Sequence, residues 1–322
     1  MVHRILVVAA LASLSLAQSP TVRVEFQVQS SWNTAYQAEI RIVNQTTYTI
    51  YDWTLEVPWQ AAVSSIWNGS IAQQGGGTTR FAPVQASWED GDLSPGESVA
   101  VGFIAAPPPC VAPTTAMLNG YPVTIGVDSP APPRLRPPPA RPWPEQVFAP
   151  YLDVTLWPPL DFAAFLTTQP TRFFHLAFVV AETGTNRPSW GGYYPVASDF
   201  MMPELVRIRA AGGDAAVSFG GASGTELAVA IQDVAALQAA YQSVIDTYDL
   251  THVDFDIEGA WIADAASVTR RSRAIAGLQA AANAAGRELQ VSFTLPVLPT
   301  GLTADGVQLL ASALQWGDRK ST

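Results

Sequence analysis

Cysteine and histidine are scarce in this chain. Cys110 is the single cysteine, and three histidines occur in 322 residues. One thiol cannot form a disulfide within the chain, and scattered histidines give no metal-binding spacing. Neither a G-x-G-x-x-G pattern nor a P-loop is present, so no nucleotide-binding signature exists. The sequence therefore predicts a fold that relies on its apolar core and holds no metal and no cofactor.

Charged residues are also few, and acids outnumber bases. They make up 14% of the chain against 48% hydrophobic residues, and the formal net charge is −10. The apolar fraction excludes general disorder. A net negative charge argues against a nucleic-acid partner, which would need a basic surface.

Long apolar runs are confined to the start of the chain. A short polar head precedes an apolar run from Ile5 to Leu16, and Ala17 supplies the small residue that a cleavage site needs. The run is too short to span a bilayer comfortably. We therefore predict a secretory signal at residues 1–17, export of the mature chain, and no association with a membrane.

Proline and tryptophan are abundant, and their distribution suggests the domain boundaries. Residues 18–127 contain short alternating segments such as "VRVEFQVQ" and "AEIRIVN", separated by turn clusters, which predict a β-sandwich. Residues 128–144 include "RPPPARPWP", whose proline density predicts an extended, semi-rigid linker. In residues 145–322, apolar strands alternate with helical segments, which predicts a parallel α/β fold with a (β/α)8 TIM barrel as the leading candidate.

Several tryptophans of the N-terminal segment lie beside turn residues, in "SSWNTAYQAEIRIVN", "SSIWNGS" and "ASWEDGDLSPGESVAVGF". With "YDWTLEV", these stretches resemble family 2 carbohydrate-binding modules, β-sandwiches that adhere to cellulose or chitin. The resemblance implies that Trp32, Trp67 and Trp88 form an exposed sugar-binding strip and that Trp53 is buried. Independently, an indole offers a large apolar face to the C–H groups of a pyranose ring.

Two further features of this segment bear on its stability and modification. Many members of the resembled family join their termini by a disulfide, and Val22 and Val123 stand in those places here. Asn44 and Asn68 each begin an N-x-S/T glycosylation sequon. Because a glycan on Asn68 would crowd the neighbouring Trp67, we expect no modification there.

Three acids alternate with apolar residues in "THVDFDIEG", residues 251–259. Because strand side chains alternate between faces, Asp254, Asp256 and Glu258 share one side. Like charges and partial burial raise the pKa of a carboxyl group. An exposed acidic edge strand is the alternative, but the intervening residues form an apolar face that flanking helices would cover.

A second motif, "VSFGG", lies upstream and contains Ser218, Gly220 and Gly221. S-x-G-G followed by D-x-D-x-E, with "SFTLPVLPTGLT" further on, resembles family 18 glycoside hydrolases, the chitinase superfamily. The resemblance implies that these three residues bind substrate at the third barrel strand and that the acids end the fourth. The first Asp of the family signature is replaced by Thr251.

The resemblance implies substrate-assisted, retaining hydrolysis of chitin or chito-oligosaccharides. Glu258 would protonate the glycosidic oxygen with a proton that its neighbours help it retain, and Asp256 would orient the substrate's acetamido group. Asp254 would share a proton or hydrogen bonds with Asp256, so the three would titrate together. We expect a monomer whose partners are a chitin or cellulose surface and soluble oligosaccharides.

The predicted barrel is short. Residues 145–322 provide five strand candidates, whereas a complete barrel usually takes ~250 residues. We therefore expect about five βα units, a C-terminally truncated barrel and impaired activity. Two other functions remain open: a polysaccharide-binding protein with an inactive barrel, and an endo-β-N-acetylglucosaminidase that uses the same acids.

Overall fold

The computed structural model describes residues 20–84 and 91–317 and contains two compact units. Residues 20–46 and Asp52–Pro132 form the first unit, and the second comprises Thr47–Tyr51 together with the chain from Pro133 onwards. The predicted signal at residues 1–17 and Trp88 lie outside the described residues.

The first unit is built from two antiparallel five-stranded sheets, which confirms the predicted β-rich domain. The strand orders are β10-β1-β2-β7-β4 and β5-β6-β3-β8-β9. The rings of Phe81 and Phe103, one from each sheet, lie 5.3 Å apart, so the inner faces pack together. The strands are β1 (Thr21–Ser31), β2 (Tyr36–Asn44), β3 (Leu55–Pro58), β4 (Ala62–Trp67), β5 (Ser70–Gly75), β6 (Thr78–Ala82), β7 (Ser98–Ala106), β8 (Thr115–Leu118), β9 (Tyr121–Thr124) and β10 (Asp128–Pro130).

The packing of this unit buries Trp53 and the sequon residue Asn44. Trp53 is only 1% exposed, as predicted. Asn44 is fully buried, and its Nδ2 donates a hydrogen bond to the carbonyl oxygen of Leu93 at 2.7 Å. The sequon at Asn44 is therefore inaccessible to a glycan in the folded unit.

The second unit is a parallel sheet whose strands alternate with helices. Strands β11, β12, β15, β16 and β17 pair in parallel in that order, and a short antiparallel hairpin, β13–β14, extends the far end of β12. The strands are β11 (Tyr151–Asp153), β12 (Phe173–Ala181), β13 (Pro188–Trp190), β14 (Tyr194–Pro195), β15 (Asp214–Gly220), β16 (His252–Asp256), β17 (Gln290–Thr294), β18 (Val297–Leu298) and β19 (Gly301–Leu302). The helices are α1 (Phe162–Thr168), α2 (Met202–Ala210), α3 (Leu227–Ala230), α4 (Val234–Tyr248), α5 (Ala265–Ala284) and α6 (Ala304–Trp316).

Short polar side chains fix where the helices of this unit begin. Asp161, Asp233, Asp264 and Thr303 each precede a helix and accept a hydrogen bond from a backbone N–H of its first turn. Such caps satisfy donors that the helix itself leaves unpaired. Within the described residues, no helix combines the length and the apolarity needed to cross a bilayer.

An aromatic layer between the sheet and α4 determines which way the central strands face. The Phe255 ring lies 5.2 Å from Phe219, 5.2 Å from Tyr241 and 5.8 Å from Phe293. Because strand side chains alternate, this burial directs the residues on either side of Phe255 to the opposite face. The acids of β16 therefore lie on the face of the sheet opposite to this aromatic layer, which we call the inner face.

The predicted linker, residues 128–144, is divided between the two units. Its first residues form β10, which pairs with β1, and its residues from Pro133 onwards belong to the second unit. Proline excludes helix here, as predicted, but backbone carbonyls and the remaining N–H groups stay available for hydrogen bonds. The segment is therefore extended, with its first residues paired in the first unit and its later residues packed in the second unit.

Candidate functional site

The inner face of three neighbouring strands brings together the acid motif and the S-x-G-G motif. Asp254 is in register with Ser218 on β15 and Ser292 on β17. Asp256, one inward-facing position further along, is in register with Gly220 and Thr294. The two motifs, 36 residues apart at Ser218 and Asp254, thus form one site.

Asp254 is a buried carboxylate surrounded by hydroxyl groups. It is 1% exposed. Its Oδ2 accepts hydrogen bonds from Tyr151 and Ser218, both at 2.7 Å, and its Oδ1 accepts from Ser292 at 2.6 Å and Thr294 at 3.3 Å. Tyr151 and Thr294 also contact each other through their hydroxyls. Each of the two hydroxyls carries one hydrogen, so when one donates to the other, three of the four surrounding hydroxyls donate to Asp254. These hydrogen bonds offset the loss of water around its carboxyl oxygens.

The hydrogen bonds of Asp254 differ from the sequence expectation. Among the described side chains, its donors are hydroxyl groups, and none of the hydrogen bonds joins it to Asp256. An ionised carboxylate only accepts hydrogen bonds, so neighbouring hydroxyls satisfy it better than a second acid does. The two acids therefore interact through their charges.

Asp256 lies in the middle of the acid series and is half-buried. Burial, the charge of Glu258 and the charge of Asp254, in that order, raise its pKa to about 7. Asp256, which lies between the other two acids, can therefore keep its proton up to near neutral pH. The proton that the sequence leads us to expect on Glu258 stays a prediction. Burial and the charge of Asp254 likewise raise the pKa of the Tyr151 hydroxyl, which stays a donor.

Glu258 stands where β16 has just ended. The N–H of Ile257 donates to the carbonyl oxygen of Thr294 at 3.0 Å, which holds the chain to the end of β17. Glu258 follows in extended backbone, half-buried, and a short 3-10 turn, Gly259–Ile262, begins after it. The acid predicted to donate a proton therefore lies at the end of the series that extends beyond the strand.

The S-x-G-G motif contacts the side chain of Asp254 and the backbone of Asp256 from the neighbouring strand β15 and the residue that follows it. Ser218 is fully buried and donates to Asp254, so it is not open to a substrate. Gly220 has φ +104°, and a Cβ there would lie 2.2 Å from the carbonyl oxygen of Asp256. The N–H of Gly221 donates to that oxygen at 2.9 Å. These three residues position Asp254 and Asp256. The substrate contacts that the resemblance implies for Gly220 and Gly221 stay predictions.

Replacing Gly220 with alanine is expected to lower the stability of the second unit by about 3 kcal/mol, because strain at positive φ adds to a backbone collision. Gly212→Ala is the matched control, since Gly212 has φ +86° with no atom within 4 Å of an added Cβ. We expect it to lose only about 1 kcal/mol. Calorimetry of the second unit's transition measures both, and equal losses would contradict the close approach to Asp256.

Sequence reasoning missed three of the four hydroxyl donors of Asp254. Ser292 and Thr294 could have been found, because they alternate with apolar residues in "QVSFT" as the acids do in the preceding strand. Tyr151 could not, because β11 has only three residues and shows no periodicity.

The first unit presents two of the three predicted surface tryptophans. Trp32 is 44% exposed and Trp67 is 38% exposed. Trp67 is in register with Gly102 on β7, and a Cβ at Gly102 would lie 2.1 Å from indole atoms Cε2 and Nε1. The indole therefore lies flat over the strand backbone, which leaves its other side open.

Comparisons with known proteins find relatives of both units. The family model of the cellulose binding domain matches residues 22–123. A cellulose/chitin binding protein of Mycobacterium tuberculosis, Rv1987, is 31% identical over 124 residues, which cover 37% of this chain and 84% of the relative. A probable bifunctional chitinase/lysozyme of Escherichia coli is 39% identical over 176 residues, or 54% of this chain. The chain spans only 20% of the length of that relative.

A solved structure resembles the second unit. Catalytic-site mutants of active domain 2 of a thermostable chitinase from Pyrococcus furiosus, complexed with chito-oligosaccharides, superpose with a TM-score of 0.51 at 31% identity. The match covers 56% of this chain and 57% of that chain. The β-rich first unit thus resembles cellulose- and chitin-binding domains, and the α/β second unit resembles a chitinase catalytic domain.

Proposed function

We propose that this chain, whose first unit matches the cellulose binding domain and whose second unit resembles chitinase catalytic domains, hydrolyses β-1,4-linked N-acetylglucosamine polymers. The observation that carries the proposal is the series of three acids along β16. Asp254 is held by four hydroxyls, the pKa of Asp256 is raised to about 7, and Glu258 stands at the open end.

The proposed chemistry uses the sugar's own acetamido group as the nucleophile. Glu258 protonates the glycosidic oxygen while Asp256 accepts a hydrogen bond from the acetamido N–H and stabilises the positive charge that develops. This step requires a proton on Glu258 and an ionised Asp256. With its pKa raised to about 7, Asp256 is ionised in part of the molecules at neutral pH. Two inversions at the anomeric carbon give net retention.

We further propose that the first unit binds the polymer surface through Trp32 and Trp67. The pairing register supports a common face for the two tryptophans. Trp67 pairs with Gly102, and Gly102 pairs with Glu39 of β2, so these residues lie on one face of the sheet. Gln37, two residues before Glu39, lies on the same face. Trp32 follows β1 on the side of the residue paired with Gln37. Since an insoluble polysaccharide is reached only outside the cell, we place the activity there.

Replacing Trp67 with alanine is expected to weaken binding to insoluble chitin or cellulose about tenfold, because an indole face is lost from the contact. Depletion isotherms with the full chain measure the dissociation constant. Tyr121→Ala is the control, since Tyr121 is 45% exposed but belongs to the other sheet. An unchanged dissociation constant for Trp67→Ala, or an equal loss in both variants, would contradict the assigned face.

A purely binding function is the second candidate, favoured by the match to the cellulose binding domain and the two exposed indoles. Release of soluble products from chito-oligosaccharides by the full chain separates the two functions. Turnover supports the hydrolase, whereas binding to the polymer without any product supports the binding protein.

A further inference from the structure

The proline-rich segment at residues 133–144, named here the strap, lies along the second unit through hydrogen bonds and one ring stack. At its start, Arg134 donates to both carboxylate oxygens of the fully buried Asp199, from Nε to Oδ2 at 2.6 Å and from Nη2 to Oδ1. Near its end, the N–H of Arg141 donates to Asp214 Oδ2 at 2.8 Å. These contacts fix the strap at two distant points.

A buried ion pair forms the middle attachment of the strap. Arg209 is fully buried and its Nε donates to Asp214 Oδ1 at 2.7 Å. Its Nη1 donates to the carbonyl oxygen of Pro138 at 2.9 Å, and its Nη2 donates to that of Asp249 at 2.9 Å. One guanidinium therefore joins the strap to β15 and to the end of α4. The strap contains no helix or strand, so hydrogen bonds of this kind keep it in place.

Trp143 ends the strap beneath the acids. Its ring stacks on His252 with centroids 4.4 Å apart and planes 19° apart, and lies 5.1 Å from Phe173 and 6.0 Å from His175. His252 begins β16, so its side chain shares the inner face with Asp254 two residues later. Trp143 thus lies at the end of the acid series opposite to Glu258.

A second ring contact connects Trp143 to the hydroxyl that holds Asp254. His175 stacks on Tyr151 with centroids 4.9 Å apart and planes 17° apart. The Nδ1 of His175 is 3.0 Å from the carbonyl oxygen of Ala149, which fixes the imidazole. The hydroxyl of Tyr151 then donates to Asp254. The order of contacts is Trp143, His175, Tyr151, Asp254.

We infer that Trp143 is a positioning residue for the hydrolytic reaction, because it supports the rings that hold Tyr151 against Asp254. The inference rests on the proposed function for its kinetic consequence, but the covering of His252 by Trp143 can be tested without any turnover. Tyr151 is 40% exposed. Besides its hydroxyl contacts, its ring is held by the stack on His175 and by a tilted contact with Phe178, whose centroid is 6.0 Å away.

Loss of the indole leaves a cavity next to two imidazoles, which neighbouring groups fill only partly. His175 and Tyr151 then sample more positions, and Asp254 loses a well-placed donor. The rate falls because Asp256 and Glu258 depend on that support for their geometry, and small displacements of a catalytic group reduce the rate strongly. Substrate binding depends on other contacts and changes little.

Trp143→Ala is expected to lower kcat on soluble chito-oligosaccharides about tenfold with KM nearly unchanged. Trp143→Phe, which keeps a ring at the site, is expected to restore most of kcat. Phe148→Ala is the matched control, because Phe148 is an aromatic residue of the same part of the chain but is 77% exposed. A tenfold loss in Phe148→Ala, or a rise in KM alone in Trp143→Ala, would overturn the inference.

An NMR titration of the histidine rings provides the readout that needs no turnover. Burial lowers the pKa of His252, opposed by weaker influences from Gln290, Asp214 and Glu288 and reinforced by His175. Removing Trp143 admits water, so its pKa rises towards the ordinary value in Trp143→Ala and less in Trp143→Phe. With only three histidines in the chain, His175→Gln identifies the signals.

The two readouts separate the possible failures. An unshifted His252 pKa in Trp143→Ala overturns the inference about the strap, whatever the kinetics. A shifted pKa with no turnover in the unsubstituted chain overturns the proposed hydrolysis instead. A shifted pKa with unchanged kcat shows that Trp143 only packs against the unit, which also overturns the positioning role.

Discussion

Glu258→Gln is expected to reduce turnover of soluble chito-oligosaccharides about a thousandfold, because the amide cannot donate a proton to the leaving oxygen. The substitution keeps the size of the side chain, and Glu258 lies after β16 at the half-buried end of the acid series. Folding should therefore persist. Initial rates of reducing-end release, together with the calorimetric transition of the second unit, measure both quantities.

Glu145→Gln is the control for Glu258→Gln, since it makes the same chemical change at an exposed position. We expect its turnover to equal that of the unsubstituted chain. Binding to insoluble polymer should be unchanged in both variants, because it depends on the first unit. Equal product release by Glu258→Gln and the unsubstituted chain would contradict the role of Glu258 and favour the binding function.

Asp256→Asn is expected to lower turnover about a hundredfold, because an amide cannot supply the negative charge that stabilises the positive acetamido-derived intermediate. The side chain keeps its shape, so the N–H of Gly221 still reaches the backbone carbonyl of residue 256. A chain whose rate on N-acetylated oligosaccharides is unaffected by this substitution would not use the proposed mechanism.

The same variant has a second expected effect, on the pH dependence of stability. In the folded chain the pKa of Asp256 is raised to about 7 from an ordinary value of 3.8, by burial, Glu258 and Asp254. Between those values the folded state binds more protons than the unfolded state, so stability falls as pH rises from 4 to 7. Asp256→Asn removes this contribution and should flatten the decline. Calorimetric midpoints at several pH values test it.

The effect of Glu258→Gln on the pKa of Asp256 tests whether the two side chains interact through their charges. Because the charge of Glu258 is the largest influence on Asp256 after burial, Glu258→Gln should lower the pKa of Asp256. A titration of the carboxyl carbons by NMR measures the change. An unchanged pKa would show that the charge of Glu258 does not contribute and would leave burial and the charge of Asp254 as the causes.

Much of this site could be predicted from the sequence, because strand alternation is a local property. The spacing of Asp254, Asp256 and Glu258 fixes a common face, and the apolar residues between them fix which face is buried. The role of Ser218 could not be predicted from the same motif. Whether a hydroxyl faces a substrate or an internal carboxylate depends on the register between β15 and β16, which spacing within one strand does not determine.

The strap shows a different limit of sequence reasoning. Proline density correctly excludes helix in residues 133–144, but the partners of its backbone lie about 70 residues further along the chain. Arg209 and Asp214 give no sign in the sequence that they hold Pro138 and Arg141. Long-range hydrogen bonds of an irregular segment leave no periodic pattern, so the sequence predicts an extended, semi-rigid linker but not the residues that hold it.

The most direct test of the proposed mechanism is NMR observation of the first products released from a chito-oligosaccharide and from its de-N-acetylated counterpart. We predict cleavage of the N-acetylated chain with the β-anomer appearing first, and essentially no cleavage of the chain that lacks the acetamido groups. Initial release of the α-anomer, or equal rates on the two chains, would contradict catalysis by the substrate's own acetamido group.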